Sequence, residues 1–175
     1  IDLENKMVET ELDEFKFEDA AFYPHVRGGK ILEKVGIAKD TQHNKLEGNI
    51  NFLTYEAIGE KDIFISGDAR PMGFSKSGNT SYSEAQFVAK IVASKINKEK
   101  MPKWESPTTT CFSAVSIEPQ KAIYIYTQYA YTPSNGRFVF DKTYSDENWN
   151  SKNGLINGKS IYQWADSLYT DMFKA

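Results

Sequence analysis

The residues of this chain with the most chemical potential stand in one run. Ile63-Phe64-Ile65-Ser66 enters Gly67-Asp68-Ala69, and a loop rich in Gly, Ser, Pro and Asn follows to Tyr82. An apolar run of that length reads as a compact strand. A glycine just past its end lets the backbone approach a ligand closely. An aspartate beside it can accept from a ribityl hydroxyl, and the N-terminus of a following helix can face an anionic group. Taken alone, the tripeptide is equally an ordinary turn. A second candidate is the single cysteine, Cys111. It has no intrachain partner, and by itself it reads either as a buried small hydrophobe or as a reactive thiol whose partner lies elsewhere. His25 and His43 lie in unrelated loop-like stretches without ligand spacing, so no structural zinc site is expected.

The elements that must position these residues follow from the patterning. Met7 to Leu12 and Phe15 to Tyr23 read as two strands around a turn at Asp13-Glu14, with Pro24 ending the second. A two-stranded hairpin is marginal in water, so its sheet neighbours are expected from sequence beyond this chain. Gly28 to Gly36 reads as a short helix and Ala38 to Asn51 as a polar loop. From Ser83 to Asn97, Ala85, Val88, Ala89, Val92 and Ile96 recur at helical spacing, which predicts an amphipathic helix packed on the preceding strand. Lys98 to Thr110, with Pro102 and Pro107, reads as a linker.

Phe112 to Ile117, Lys121 to Thr132 and Arg137 to Thr143 predict a three-strand meander. Its middle strand alternates Ala122, Tyr124, Tyr126 and Ala130 with Ile123, Ile125, Tyr129 and Tyr131, so both faces need cover. A last helix is signalled by Ser160 with Gln163 as a capping box. Its apolar stripe is Ile161, Trp164, Ala165, Leu168, Tyr169 and Met172, expected to serve the core. The fold class is therefore α+β with a C-terminal antiparallel meander and a closing helix.

The 175 residues, 40% apolar and 14% aromatic, suffice for a packed core. A net charge of −3, with no basic run interleaved with aromatics, argues against nucleic acid as a partner. No apolar stretch approaches the roughly 20 residues that span a bilayer, and no basic region followed by an apolar core opens the chain. No transmembrane segment is expected. The chain begins at Ile1, so localisation is not read from what its N-terminus lacks.

The motifs also form an ordered set. Ile63 to Ala69, Pro71-Met72, Lys76-Ser77-Gly78, an alanine-rich helix and Thr110-Cys111-Phe112-Ser113 succeed one another. That order resembles the flavin subunits of flavocytochrome c sulfide dehydrogenase. Trp164, Leu168, Asp171 and Phe173 resemble the residues that close those subunits. Met7-Val8-Glu9-Thr10 and Tyr23 to Ile31 resemble a hairpin and an Arg-x-Gly-Lys turn of the family's middle domain. The chain departs from the pattern where Gly73-Phe74-Ser75 rearranges the Pro-Met loop and where 79–83 is longer.

The resemblance implies part of a two-dinucleotide-domain flavoprotein related to sulfide:quinone reductase. Residues 1–48 would end the middle, NAD-like domain, 49–100 would be the returning segment of the FAD-binding domain, and 101–175 a C-terminal flavin-binding and interface domain. The implied activity is FAD-dependent sulfide oxidation with electrons passed to a c-type cytochrome subunit in the periplasm. Cys111 would be half of a redox disulfide that hydrosulfide attacks, the thiolate then reducing the isoalloxazine. Asp68 would hold the ribityl chain, with Gly67 and Ala69 also at the flavin and Lys76 and Ser77 near the pyrimidine edge. Trp164 is placed at the cofactor with a core-anchor reading preferred, and Lys76 has a solvated-loop alternative. No Gly-x-Gly-x-x-Gly follows any strand here, so the FAD pyrophosphate and the partner cysteine are assigned to an absent N-terminal half, without which the chain is expected to be inactive. Two other readings stay open: a sulfide:quinone reductase-type flavoprotein, and a non-catalytic module that docks a cytochrome or forms a homodimer.

Overall fold

The computed structural model describes residues 1–21, 27–40 and 45–173. His25, His43 and the stretch Tyr23 to Val26 lie outside the described residues. The chain opens with a hairpin of β1 (Met7–Glu9) and β2 (Glu14–Lys16), in register Met7 with Lys16. Thr10 sets the turn: its hydroxyl accepts from the amide of Asp13, whose carbonyl accepts from the Thr10 amide at 2.9 Å. The turn therefore sits at Thr10–Asp13, and both strands are shorter than their β-prone residues suggest.

Helix α1 (Lys30–Lys34) and the antiparallel pair β3 (Ala38–Asp40) and β4 (Lys45–Gly48) come next. The polar stretch expected as a loop is thus a small hairpin. Its anchors are apolar: Leu32, Ile37 and Ile50 are buried and join the main core. Gly28 makes the close approach possible, since a Cβ there would collide with the Leu46 carbonyl.

The strand predicted at Ile63–Ser66 is one antiparallel bridge, Glu56 with Phe64. It is held by the Ala57 amide on the Ile63 carbonyl at 2.8 Å and the Ile65 amide on the Tyr55 carbonyl at 2.9 Å. Among the described residues only the Tyr55–Ala57 edge pairs with this segment, so no longer ladder forms. Gly67–Ala69 then makes a single 3₁₀ turn.

Helix α2 runs Gly78–Asn97. It starts five residues before the expected Ser83, because Ser77 caps it by accepting from the Thr80 amide. Its buried face also differs from the apolar stripe: Thr80, Glu84, Phe87 and Ile91 are buried, whereas Ala85 and Ala89 are exposed and Ile96 is 74% exposed. Large side chains and one buried charge outrank alanines in setting the rotation. The segment before the meander is fastened rather than a free linker. Trp104 packs on the core, and the Thr108 amide donates to Ser83 Oγ at 3.0 Å.

The meander is as predicted, in order β5 (Thr109–Ile117), β6 (Gln120–Thr132) and β7 (Arg137–Asp146). Each face has its own cover. Tyr129 packs against Phe74 at 4.5 Å, and Phe74 meets Phe138 at 4.7 Å, joining one face to the core built by α2 and the preceding loop. The opposite face carries Phe112, Tyr124 and the fully buried Ala122, and receives α3 (Lys152–Phe173).

The closing helix begins eight residues before the expected cap. Ser160 lies inside it, with its hydroxyl donating to the Ile156 carbonyl at 2.9 Å. Two glycines set the docking: a Cβ on Gly154 would overlap the Trp149 carbonyl, and one on Gly158 would come within 2.4 Å of the Gln120 carbonyl. Ile161, Trp164, Ala165 and Leu168 are half-buried. The far end of the stripe overhangs: Tyr169 is 60%, Met172 51% and Phe173 72% exposed, so the core uses only the first part of it.

Candidate functional site

The 3₁₀ turn, the N-terminus of α2 and the start of β5 converge. Gly67 has φ +68, and a Cβ there would meet Ser81 Oγ at 3.0 Å, so the turn lies directly on the first turn of α2. Asp68 is exposed at that turn, Ala69 half-buried. From the other side, Asn79 Oδ1 accepts from the Thr110 amide at 2.9 Å, which fastens the strand beside Cys111 to the same helix end.

Cys111 is exposed, and it points away from α3, since its neighbour Phe112 faces that helix. Trp164 packs against Phe112 at 6.0 Å between ring centroids and therefore lies on the sheet face opposite Cys111. The structure brings Gly67, Asp68, Ala69, Lys76 and Ser77 together, ties Cys111 to them through Thr110 and Asn79, and sets Trp164 apart.

Lys76 folds back over the turn. Its Nζ donates to the Asp68 carbonyl at 2.5 Å and the Arg70 carbonyl at 3.2 Å and pairs with Glu47 at 2.6 Å. Its charge is thus shared with Glu47 while a third of the side chain stays exposed. The Ser77 hydroxyl serves the helix cap and lies 2.9 Å from Thr80 Oγ1.

Sequence reading missed the groups that hold this arrangement. A chain of hydroxyls links Thr80 to Thr109 at 2.9 Å and Thr109 to the Tyr129 phenol at 2.9 Å; the phenol accepts from the Ser75 amide at 3.0 Å. Arg70 and Glu84 are paired at 2.8 Å with side chains 1% and 0% exposed. Burial pushes the Glu84 carboxyl up from its ordinary range, with the Arg70 guanidinium opposing. The available signal was Glu84 itself, a charge placed at i−3 and i−7 from Phe87 and Ile91 on what proves to be the buried face.

Among the described residues no group of three or more His, Cys, Asp and Glu could hold a metal ion, and no helix is long and apolar enough to cross a membrane. A flavin fits what is present. Gly67 lets the turn pack directly on Ser81 of α2, Asp68 offers an exposed carboxylate beside that helix end, and the first turn of α2 lies next to the strand of Cys111.

Comparison with known proteins bears on the C-terminal segment. No curated protein matches the chain. Residues 105–173, from the segment before β5 through the closing helix, match the family described as flavocytochrome c sulphide dehydrogenase, flavin-binding. The resemblance drawn from the motifs is therefore matched over the meander and closing helix, where the chain is similar to the flavin-binding domain of this flavoprotein family, a family that uses FAD.

Proposed function

We propose that the chain supplies the flavin-contacting C-terminal part of an FAD-dependent sulfide dehydrogenase that passes electrons to a c-type cytochrome subunit in the periplasm. In this reading residues 1–48 close a middle domain, 49–100 return to the FAD domain and 101–175 complete the flavin surface. The Thr110–Asn79 hydrogen bond supports the proposal, because it fastens the strand that carries Cys111 to the helix end that follows the Gly67–Ala69 turn.

FAD, when bound, supplies a two-electron acceptor. Asp68 accepts from ribityl hydroxyls, the first-turn amides of α2 favour negative charge near them, and Lys76 adds a cation tempered by Glu47. Cys111 takes part as half of a disulfide with a cysteine outside this chain, exchanging with hydrosulfide.

The first test is the visible spectrum of the chain after FAD is added and excess removed by gel filtration. Retained flavin that is lost in Asp68→Ala supports the assignment. In the assembled flavoprotein, sulfide-dependent reduction of cytochrome c should disappear in Cys111→Ser, and its persistence would sink the thiol's role.

A second reading is favoured by the exposed end of α3, where Tyr169, Met172 and Phe173 suit a surface that meets a membrane and a quinone. Flotation of the assembled protein with liposomes would select it over the cytochrome-linked form.

A further inference from the structure

The loop from Gly67 to Lys76 carries both Asp68 and Lys76, yet its own backbone bonding is sparse. One turn bond, from the Arg70 amide to the Gly67 carbonyl at 3.1 Å, closes the 3₁₀ turn. Much of the rest is held by two side chains. Glu84 accepts from the Gly67 amide on Oε2 at 3.0 Å and from Arg70 Nε on Oε1 at 2.8 Å. The Arg70 guanidinium then donates to the carbonyls of Met72 at 2.5 Å, Phe74 at 3.1 Å and Ser75 at 2.9 Å, and lies over the Phe74 ring at 5.0 Å.

Stability alone does not account for such a pair. Taking both charges out of water costs several kcal/mol each, and well-packed apolar replacements of similar volume are often neutral or stabilising. What an apolar pair cannot do is hold four backbone groups of an irregular loop. A guanidinium presents its donors in a rigid fork, and a carboxylate offers two acceptors, so together they fix the path of the loop rather than merely fill space.

We infer that Glu84 and Arg70 are positioning residues for the flavin site, holding the Gly67–Lys76 loop in the shape that presents Asp68 and Lys76 to the ribityl and pyrimidine side of FAD. This rests on the flavin-binding function proposed above. Neither residue touches the cofactor; both act through the loop.

The test uses the full chain and separates folding from positioning. In the double variant Arg70→Met with Glu84→Leu, the melting temperature should stay within a few degrees of the parent. FAD should bind about tenfold more weakly, about 1.4 kcal/mol, and the Gly67 amide, which loses its acceptor, should exchange at least about tenfold faster. Glu84→Ala, which removes both acceptors in one substitution, is scored by the same two readouts, so the decision survives if the double variant fails to fold. A folded variant in which either flavin affinity or loop exchange matches the parent overturns the inference. If the parent chain itself retains no FAD, that result counts against the flavin reading of the isolated chain, and loop exchange alone decides on the positioning role.

Discussion

The Thr110 amide and Asn79 Oδ1, 2.9 Å apart, join the strand of Cys111 to the first turn of α2. The bond is partly buried, and the buried Thr80–Thr109 hydroxyl pair at 2.9 Å is a second link between the same two elements. Asn79→Ala should cost about 1 kcal/mol, the usual net worth of one such hydrogen bond. Denaturant titration measures that loss. Flavin retention should fall further than stability does, because the bond fixes the spacing of thiol and turn.

Cys111 is exposed on β5, so it should alkylate stoichiometrically in the folded chain, without denaturant. Intact-mass spectrometry after brief iodoacetamide treatment reads this directly. Added FAD should slow the modification, and an unchanged rate would place the flavin away from the thiol.

Gly67 and Gly158 are constrained for different reasons. Gly67→Ala puts a side chain at φ +68 and against Ser81 Oγ at 3.0 Å, with an expected cost of about 1–3 kcal/mol. Gly158→Ala drives a methyl to 2.4 Å from the Gln120 carbonyl and must lift α3 from β6. Thermal melts of both variants should fall, with increased amide exchange confined to α3 and β6 for Gly158→Ala.

Phe74 is 4% exposed and its ring meets Tyr129, Phe138 and Trp104. Phe74→Ala should destabilise by about 3–5 kcal/mol. Tryptophan fluorescence should shift to the red as water reaches Trp104.

Glu56 and Asp62 both hydrogen-bond Lys95 Nζ, which holds each carboxyl below its ordinary range. A carboxyl whose pKa is lower folded than unfolded adds stability above the unfolded value and loses it as pH falls through the folded one. Stability should therefore decline below about pH 4. Lys95→Met should flatten that decline and leave the neutral region unchanged in shape. Glu84 titrates alike in both chains, so the difference between their denaturation profiles isolates the surface cluster.

The meander was legible because its strands alternate and its turns carry Pro119 and Asn135-Gly136, so pattern and turn chemistry agree. The Gly-Asp-Ala turn and Cys111 were legible as residue types but not as neighbours, since Asn79 gives no sign in sequence that it will reach Thr110. The rotation of α2 was misread. Counting small apolar residues favoured Ala85 and Ala89, whereas tertiary packing buried Glu84, Phe87 and Ile91 around Arg70. The start of α3 was hidden because Gly154 and Gly158 are poor helix formers in isolation and succeed only against the backbone of Trp149 and Gln120. Ser160 mimicked a cap for the same reason that serines favour caps: its hydroxyl seeks a nearby backbone group, here the Ile156 carbonyl.

The ring cluster of Phe74, Trp104, Tyr129 and Phe138 draws on the loop after the 3₁₀ turn, on the segment before the meander and on two of its strands. The two sides of the chain therefore gain their stability from the same contacts. Melting of one side takes those contacts from the other. Heat should open them in a single cooperative endotherm, and a protease cut between 98 and 108 should release an unfolding chain instead of two durable pieces.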